Sequence, residues 1–186
     1  MRDPRRVAIL ISGRGSNMKA LVNGAKGYEV VLVASNKPLA PGLEWARSRG
    51  LSTWAWDSKG VDKQEFDRLL SQALDDHRVG TVALAGFMRI LSSWFVERWR
   101  GRVVNIHPSL LPKYTGLDTH ARALAAGDTV SGCSVHLVTE ELDAGEVLGS
   151  AEVPVAAGDT PETLEQRVLA AEHRLSPRVL SEFVSR

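Results

Sequence analysis

Asn105 and His107 carry the first chemistry legible in this chain. They stand two apart at the end of an apolar run, and Pro108 follows them. If a strand extends that far, its period of two sends both side chains to one face. An amide N–H donates to a developing oxyanion, and an imidazole gives or takes a proton near neutral pH. Pro108 biases His107 toward extended backbone. A lone histidine is more often structural. One flanked by Asn and Pro at the carboxyl end of a strand is better placed for catalysis. Asp143 lies in the turn EELDAG, and if held near His107 it would favour the imidazolium. Its neighbours Glu140 and Glu141 read as solvated turn charges.

The second constellation is the loop Ser12-Gly13-Arg14-Gly15-Ser16-Asn17 between a first strand and a first helix. Glycines let backbone approach a ligand closely, and a helix start offers unpaired N–H groups at a positive dipole end. Such a place suits a phosphate monoester; a tight turn without a ligand is the alternative. The dinucleotide fingerprint needs a third glycine where Met18 stands, and Ser35-Asn36-Lys37 replaces the acidic residue expected after the second strand. NAD binding is therefore not expected. The chain contains no GxxxxGK[ST], no HExxH and no GxSxG.

Other candidates carry less. His77 reads as exposed at a helix end, and His136 as a packing residue within a strand. His120 and His173 fall on helices near the site loops. Cys133 reads as buried rather than reactive. The five tryptophans, Trp45, Trp54, Trp56, Trp94 and Trp99, are scattered and read as packing residues.

Short apolar runs bounded by turn residues must position these groups. Strands are expected at 7–11, 29–34, 52–56, 81–85 and 102–106, and helices at 16–22, 41–49, 62–76, 92–99 and 119–126. This alternation predicts a doubly wound, mostly parallel, Rossmann-like α/β sheet with helices on both faces. Ligands would then lie at the carboxyl ends of its strands. Strands at 131–138 and 146–154 are joined by a link too short for a helical crossover. They predict an antiparallel edge pair near the C-terminus. A helix over 160–184 closes the chain, with Pro177 expected to break or kink it.

The 186 residues fit one domain, with 44% hydrophobic and 24% charged residues. A formal charge of +1 gives no support to a nucleic-acid binder working through a broad basic field. One cysteine excludes an internal disulfide and a multi-cysteine zinc site, and no metal is expected. No apolar run reaches the ~18 residues of a membrane span. The basic start, 1–6, reads as a solvated arm rather than a signal peptide. A cytoplasmic protein is expected. An exposed sheet edge or apolar helix face would serve a homodimer, but no such surface stands out in the sequence.

The segments VAILISGRGSNMKAL, SNKPLAPGLEWARSRG, ALAGFMRILSSWFV, NIHPSLLPKYTGLDTH, GCSVHLVTEELDAGEVL and AEHRLSP resemble, in order, the folate-dependent formyltransferases that act on glycinamide ribonucleotide. The resemblance covers nearly the whole chain. It implies transfer of a formyl group from 10-formyltetrahydrofolate, a cosubstrate, to the amine of 5′-phosphoribosylglycinamide in purine synthesis. It makes Asn105, His107 and Asp143 the catalytic three. It implies that Gly15, Ser16 and Asn17 hold the phosphate and that Glu172 contacts the ribose. The folate is expected at Met88, Arg89, Ile90 and Leu91, largely through backbone. It is also expected at Thr139, Glu140, Glu141, Leu142 and Asp143, and beside Asn105. Lys63 falls where relatives can carry a basic folate contact, and a solvated helix charge is an equal reading. The implied unit is a single formyltransferase domain over 1–186, its N-terminal part binding the ribonucleotide and its C-terminal part the folate. Rival readings are a hydrolase that releases formate, a formyltransferase acting on initiator tRNA, and a non-catalytic sensor. The tRNA enzyme would need an extension this length does not hold.

Thr115 and Asp118 depart from the resemblance, YTGLDTH replacing a YPGLHTH-like stretch. An acidic side chain there is expected to weaken binding of an anionic substrate or to change the pH profile. Kinetics of Asp118→His across pH measure this effect, and unchanged kinetics would exclude it.

Overall fold

A computed structural model describes residues 2–186. The chain runs β1 (Arg6–Ile11), α1 (Ser16–Asn23), β2 (Glu29–Ser35), α2 (Pro41–Ser48), β3 (Thr53–Ala55), α3 (Lys63–Asp76), β4 (Thr81–Leu84), α4 (Ser93–Arg98), β5 (Val103–His107), α5 (Thr119–Ala125), β6 (Val130–Leu137), β7 (Val147–Pro154) and α6 (Pro161–Val184). The seven strands form one sheet in the order β3-β2-β1-β4-β5-β6-β7. Pairs from β3 to β5 are parallel, and β6 and β7 are antiparallel. The expected doubly wound architecture and its antiparallel edge pair are present.

Alternation along β1 builds two cores. Val7, Ile9 and Ile11 face a layer made by α1, α2 and α6; Ala8 and Leu10 face α3 and α4. Capping fixes two of the helix starts. Asp62 accepts from the amides of Gln64 and Glu65 at the head of α3, and Ser92 Oγ accepts from Phe95 N at the head of α4.

The expected strand at 52–56 shortens to Thr53–Ala55, because it pairs only with β2 at the sheet edge. Pro177 does not break α6, which continues to Val184. Proline removes one helical hydrogen bond, at about 3 kcal/mol. The buried stripe of Leu164, Val168, Leu175, Val179, Leu180 and Val184 offsets that loss. The N-terminal arm is also not simply solvated. Arg2 pairs with Asp75 at 2.6 Å and lies 5.3 Å from the centre of the Trp99 ring. Met1 of that arm lies outside the described residues. Trp56 is 47% exposed and does not pack as expected.

Phe66 of α3 is fully buried, lies 5.8 Å from Trp54 and carries the Arg89 guanidinium 4.9 Å above its ring. It joins the second core to the loop after β4. Phe66→Ala is expected to cost about 3–5 kcal/mol, read as a lowered denaturant midpoint at unchanged m-value.

Candidate active site

Two loops diverge at the carboxyl ends of β1 and β4, and Ser12 joins them. Its N–H donates to Gly86 O at 3.0 Å. Its Oγ accepts from Met88 N at 2.7 Å and donates to Asn36 Oδ1 at 2.6 Å. The glycine loop turns into α1 at Gly15, whose φ of 72° lies in the left-handed region that glycine tolerates. Ser16 and Asn17 then open α1, with free backbone donors and no acidic side chain in the first turn. Asn17 Nδ2 donates to Glu172 Oε2 at 2.7 Å, so α6 closes this corner. Glu172 is 5% exposed, and burial raises its carboxyl above the ordinary range despite the Asn17 bond.

The catalytic candidates converge two strands away. Strand β5 extends to His107, so Asn105 and His107 share one face as the spacing predicts. Asp143 has a φ of 53° and points its carboxylate back at both histidines of the site. Its Oδ2 accepts from Gly116 N at 2.8 Å and lies 3.5 Å from His107 Nδ1. Gly145 lets the turn press this closely on β6, since a Cβ there would fall 1.8 Å from Leu137 O.

His107 Nε2 lies 2.9 Å from Tyr114 O. A carbonyl only accepts, so Nε2 carries a proton there. The other nitrogen, Nδ1, faces Asp143 at a distance longer than the roughly 2.7–2.9 Å of a charged hydrogen bond. Nδ1 is thus the ring nitrogen that Tyr114 leaves without a hydrogen bond.

His136 corrects the packing assignment made for it. It is buried, but its Nε2 lies 3.2 Å from Asn105 Nδ2 and 3.5 Å from Asp143 Oδ1. Its Nδ1 faces Leu137 O at 2.9 Å and must be the donor. Burial holds the ring below the ordinary histidine range, so it is neutral and its approach to Asp143 is not an ion pair. Its Nε2 accepts one hydrogen of the Asn105 amide, leaving the other free to point into the site. The antiparallel register opposes Asn105 to His136. Pairing Asn105 with a residue of the predicted edge strand is the signal that could have found it.

The remaining candidates separate by environment. Met88 and Ile90 are exposed, at 68% and 66%, while Leu91 is buried. Arg89 is turned inward, donating to Ser58 O and Val61 O at 3.4 Å each. The 88–91 stretch therefore offers backbone and two apolar side chains. Thr139, Glu140, Glu141 and Leu142 are exposed on the turn before Asp143. Lys63 is exposed at the first turn of α3 and has no hydrogen bond or ion pair among the described residues. Asp118 is exposed, with a φ of 56° at the head of α5. His77 is half-buried rather than exposed, its Nδ1 2.8 Å from Ala73 O. Cys133 is buried with its thiol pushed up to about 12, which leaves it inert. No group of three or more His, Cys, Asp or Glu side chains placed to hold a metal ion occurs among the described residues. None of their helices is long and apolar enough to cross a membrane.

The fold and these side chains define a Rossmann-like α/β protein with an Asn–His–Asp site suited to acyl-type transfer through an oxyanion. Residues 5–180 match the formyl transferase family, and the chain belongs to that family. It is 47% identical over 182 residues to the phosphoribosylglycinamide formyltransferase of Escherichia coli K12, covering 95% of this chain and 86% of that protein. It is also 47% identical over 180 residues to the trifunctional purine biosynthetic protein adenosine-3 of Gallus gallus, of which it spans 18%. The structure of phosphoribosylglycinamide formyltransferase from Brucella melitensis superposes with a TM-score of 0.91 at 46% identity, covering all of this chain and 97% of that one.

Burial disfavours charge on Glu172, so the fold is most stable with this carboxyl protonated. Its contribution is present below the ordinary value of 4.5 and is lost as pH rises through the higher folded-state value. Glu172→Gln, which cannot ionise, is expected to be more stable than wild type at neutral pH. The difference should vanish below pH 4.5, as read by denaturant melts at both pH values.

Proposed function

We propose that the chain transfers the formyl group of 10-formyltetrahydrofolate to the amine of 5′-phosphoribosylglycinamide, giving formylglycinamide ribonucleotide and tetrahydrofolate in purine biosynthesis. The reading rests on near-full-length similarity to formyltransferases of that name. The convergence of Asn105, His107 and Asp143 is the single structural observation that carries it. Residues 1–186 act as one formyltransferase unit, the N-terminal part holding the ribonucleotide and the C-terminal part the folate. The 88–91 loop is an N-terminal contribution to the folate side.

The substrate phosphate rests on the amides of Gly15, Ser16 and Asn17 at the positive end of α1, and Glu172 accepts from the ribose. The pterin lies along 88–91 and against 139–143, with Lys63 reaching its acidic tail. The amine attacks the formyl carbon, and a C–N bond forms as the carbonyl oxygen takes up negative charge. The free N–H of Asn105 and a proton on His107 Nδ1 stabilise that oxyanion. Asp143 supports the charged imidazole and receives the surplus amine proton through a water. Collapse breaks the bond to the folate nitrogen, which takes its proton from His107. Both substrates are small molecules, and the reaction calls for no nucleic acid, membrane or metal. A cytoplasmic location suits it.

The test incubates the protein with both substrates and follows formylated product by mass, alongside His107→Ala and a sample without ribonucleotide. Loss of one oxyanion donor typically costs about 10²–10³ in turnover, and His107→Ala is expected to lose at least that. Formate release without the ribonucleotide would instead establish a hydrolase. Tight folate binding with no turnover would establish a sensor.

A further inference from the structure

The loop 113–117 touches both catalytic side chains through its backbone, and residues far from the reacting atoms hold that loop in place. Tyr114 O meets His107 Nε2, and Gly116 N–H meets Asp143 Oδ2. Tyr114 itself has a φ of 55°, unusual for an aromatic residue, so the turn needs outside support. Asp128, just beyond α5, supplies it. The Tyr114 hydroxyl donates to Asp128 Oδ2 at 2.7 Å, and Lys113 Nζ lies 3.1 and 3.2 Å from its two oxygens. Arg122 holds the other side. Its guanidinium lies 5.2 Å from the Tyr114 ring centre and donates to Thr115 O at 2.6 Å and Leu117 O at 3.1 Å.

We propose that Tyr114, Arg122 and Asp128 are positioning residues for the transfer reaction, a role that rests on the catalytic reading of His107 and Asp143 above. Together they form a clasp that fixes the Tyr114 carbonyl against Nε2. The hydrogen bond at one ring nitrogen sets the tautomer at the other. The clasp thereby holds a proton on Nε2 and leaves Nδ1 as the nitrogen that faces Asp143 and exchanges protons with substrate. It acts also on Asp143, because the same loop delivers Gly116 N–H. None of the three side chains needs to touch a substrate. Their effect is expected in the chemical step rather than in binding.

The test compares wild type with Tyr114→Phe, Asp128→Asn and the double variant. Phenylalanine keeps the ring under Arg122, and asparagine keeps the shape of Asp128. Each protein is to be followed by kcat and KM for both substrates, by Tm, and by ¹⁵N NMR of the His107 ring in the substrate-free protein. Each single variant is expected to lower kcat on the order of tenfold, with KM changed less than about twofold. Losses in the double variant should be less than multiplicative, since both variants weaken the Tyr114–Asp128 contact, Asp128→Asn weakening the Lys113 pair as well. Tm should fall by no more than about 4 °C, the scale of one hydrogen bond in a chain of this size. The His107 ring should pass from a fixed Nε2–H form to a mixture of tautomers. An unchanged kcat, multiplicative losses in the double variant, or an unchanged tautomer would overturn the proposal. A wild type that forms no product while the variants still loosen the tautomer removes the transfer reading and leaves the positioning role supported.

Discussion

The buried carboxylate of Asp143 is the point on which the site depends. Its side chain is 6% exposed, and a charge so far from water must be met by hydrogen bonds or opposite charge. What surrounds it comes from three separate stretches of chain. Gly116 supplies an N–H from the loop after β5, and β5 sets His107 Nδ1 3.5 Å away, where a proton taken up by the ring would face the carboxylate, while β6 places the neutral His136 on its other side. Taking the Gly116 N–H away leaves the charge unmet, so the carboxylate binds turn and loop into one arrangement. The antiparallel return of β6 beside β5 is what makes this geometry attainable. A helical crossover at that point would carry the following turn away from His107.

The rest of the site follows from the reversal of strand order. The chain leaves β1 for β2 and β3 on one side and returns to β4 on the other. The loops after β1 and β4 must therefore part, and a crevice opens between them. Ser12 spans that crevice at its base, tying Met88 and Asn36 into one network. The glycine loop and the 88–91 loop form its two walls. The phosphate-type site and the catalytic cluster thus sit at the same edge of the sheet without sharing a residue.

Much of this was legible in the residues. Apolar runs with turn residues at their ends marked every strand and helix to within about two positions, because alternation and capping are local signals. The pairing of Asn105 with His107 was legible for the same reason, as was the buried state of Cys133. His136 was not, because an isolated histidine in an apolar strand looks alike whether it packs or hydrogen-bonds. Only the register against β5 shows that it faces Asn105. Pro177 is expected to break or kink α6, and the break does not occur because burial along the length of the helix overrides the local rule. Arg89 shows a further limit: the sequence places it in a candidate folate loop, whereas its guanidinium turns inward over Phe66.

That inward turn suggests how the proposed site divides its work. On the proposed ribonucleotide side, backbone amides at the head of α1 would meet the phosphate, and on the proposed folate side 88–91 presents backbone with two apolar side chains. Backbone donors are fixed by the sheet and the helix start, so they need no side-chain entropy to be ordered on binding. Charged side chains that the sequence places near these surfaces are either turned inward, as Arg89 is, or left in solvent, as Lys63 is. In the proposed reaction the chemistry is then concentrated in Asn105, His107, His136 and Asp143. Each of these four is oriented by a partner that is itself buried or held in the backbone. A neutral His136 is essential to that arrangement. Were it charged, Nε2 would become a donor toward Asp143 and give up the amide of Asn105, and the oxyanion would lose its aligned N–H. In the proposed reaction the burial that keeps this imidazole neutral would therefore act on the chemical step, with His136 working only through Asn105.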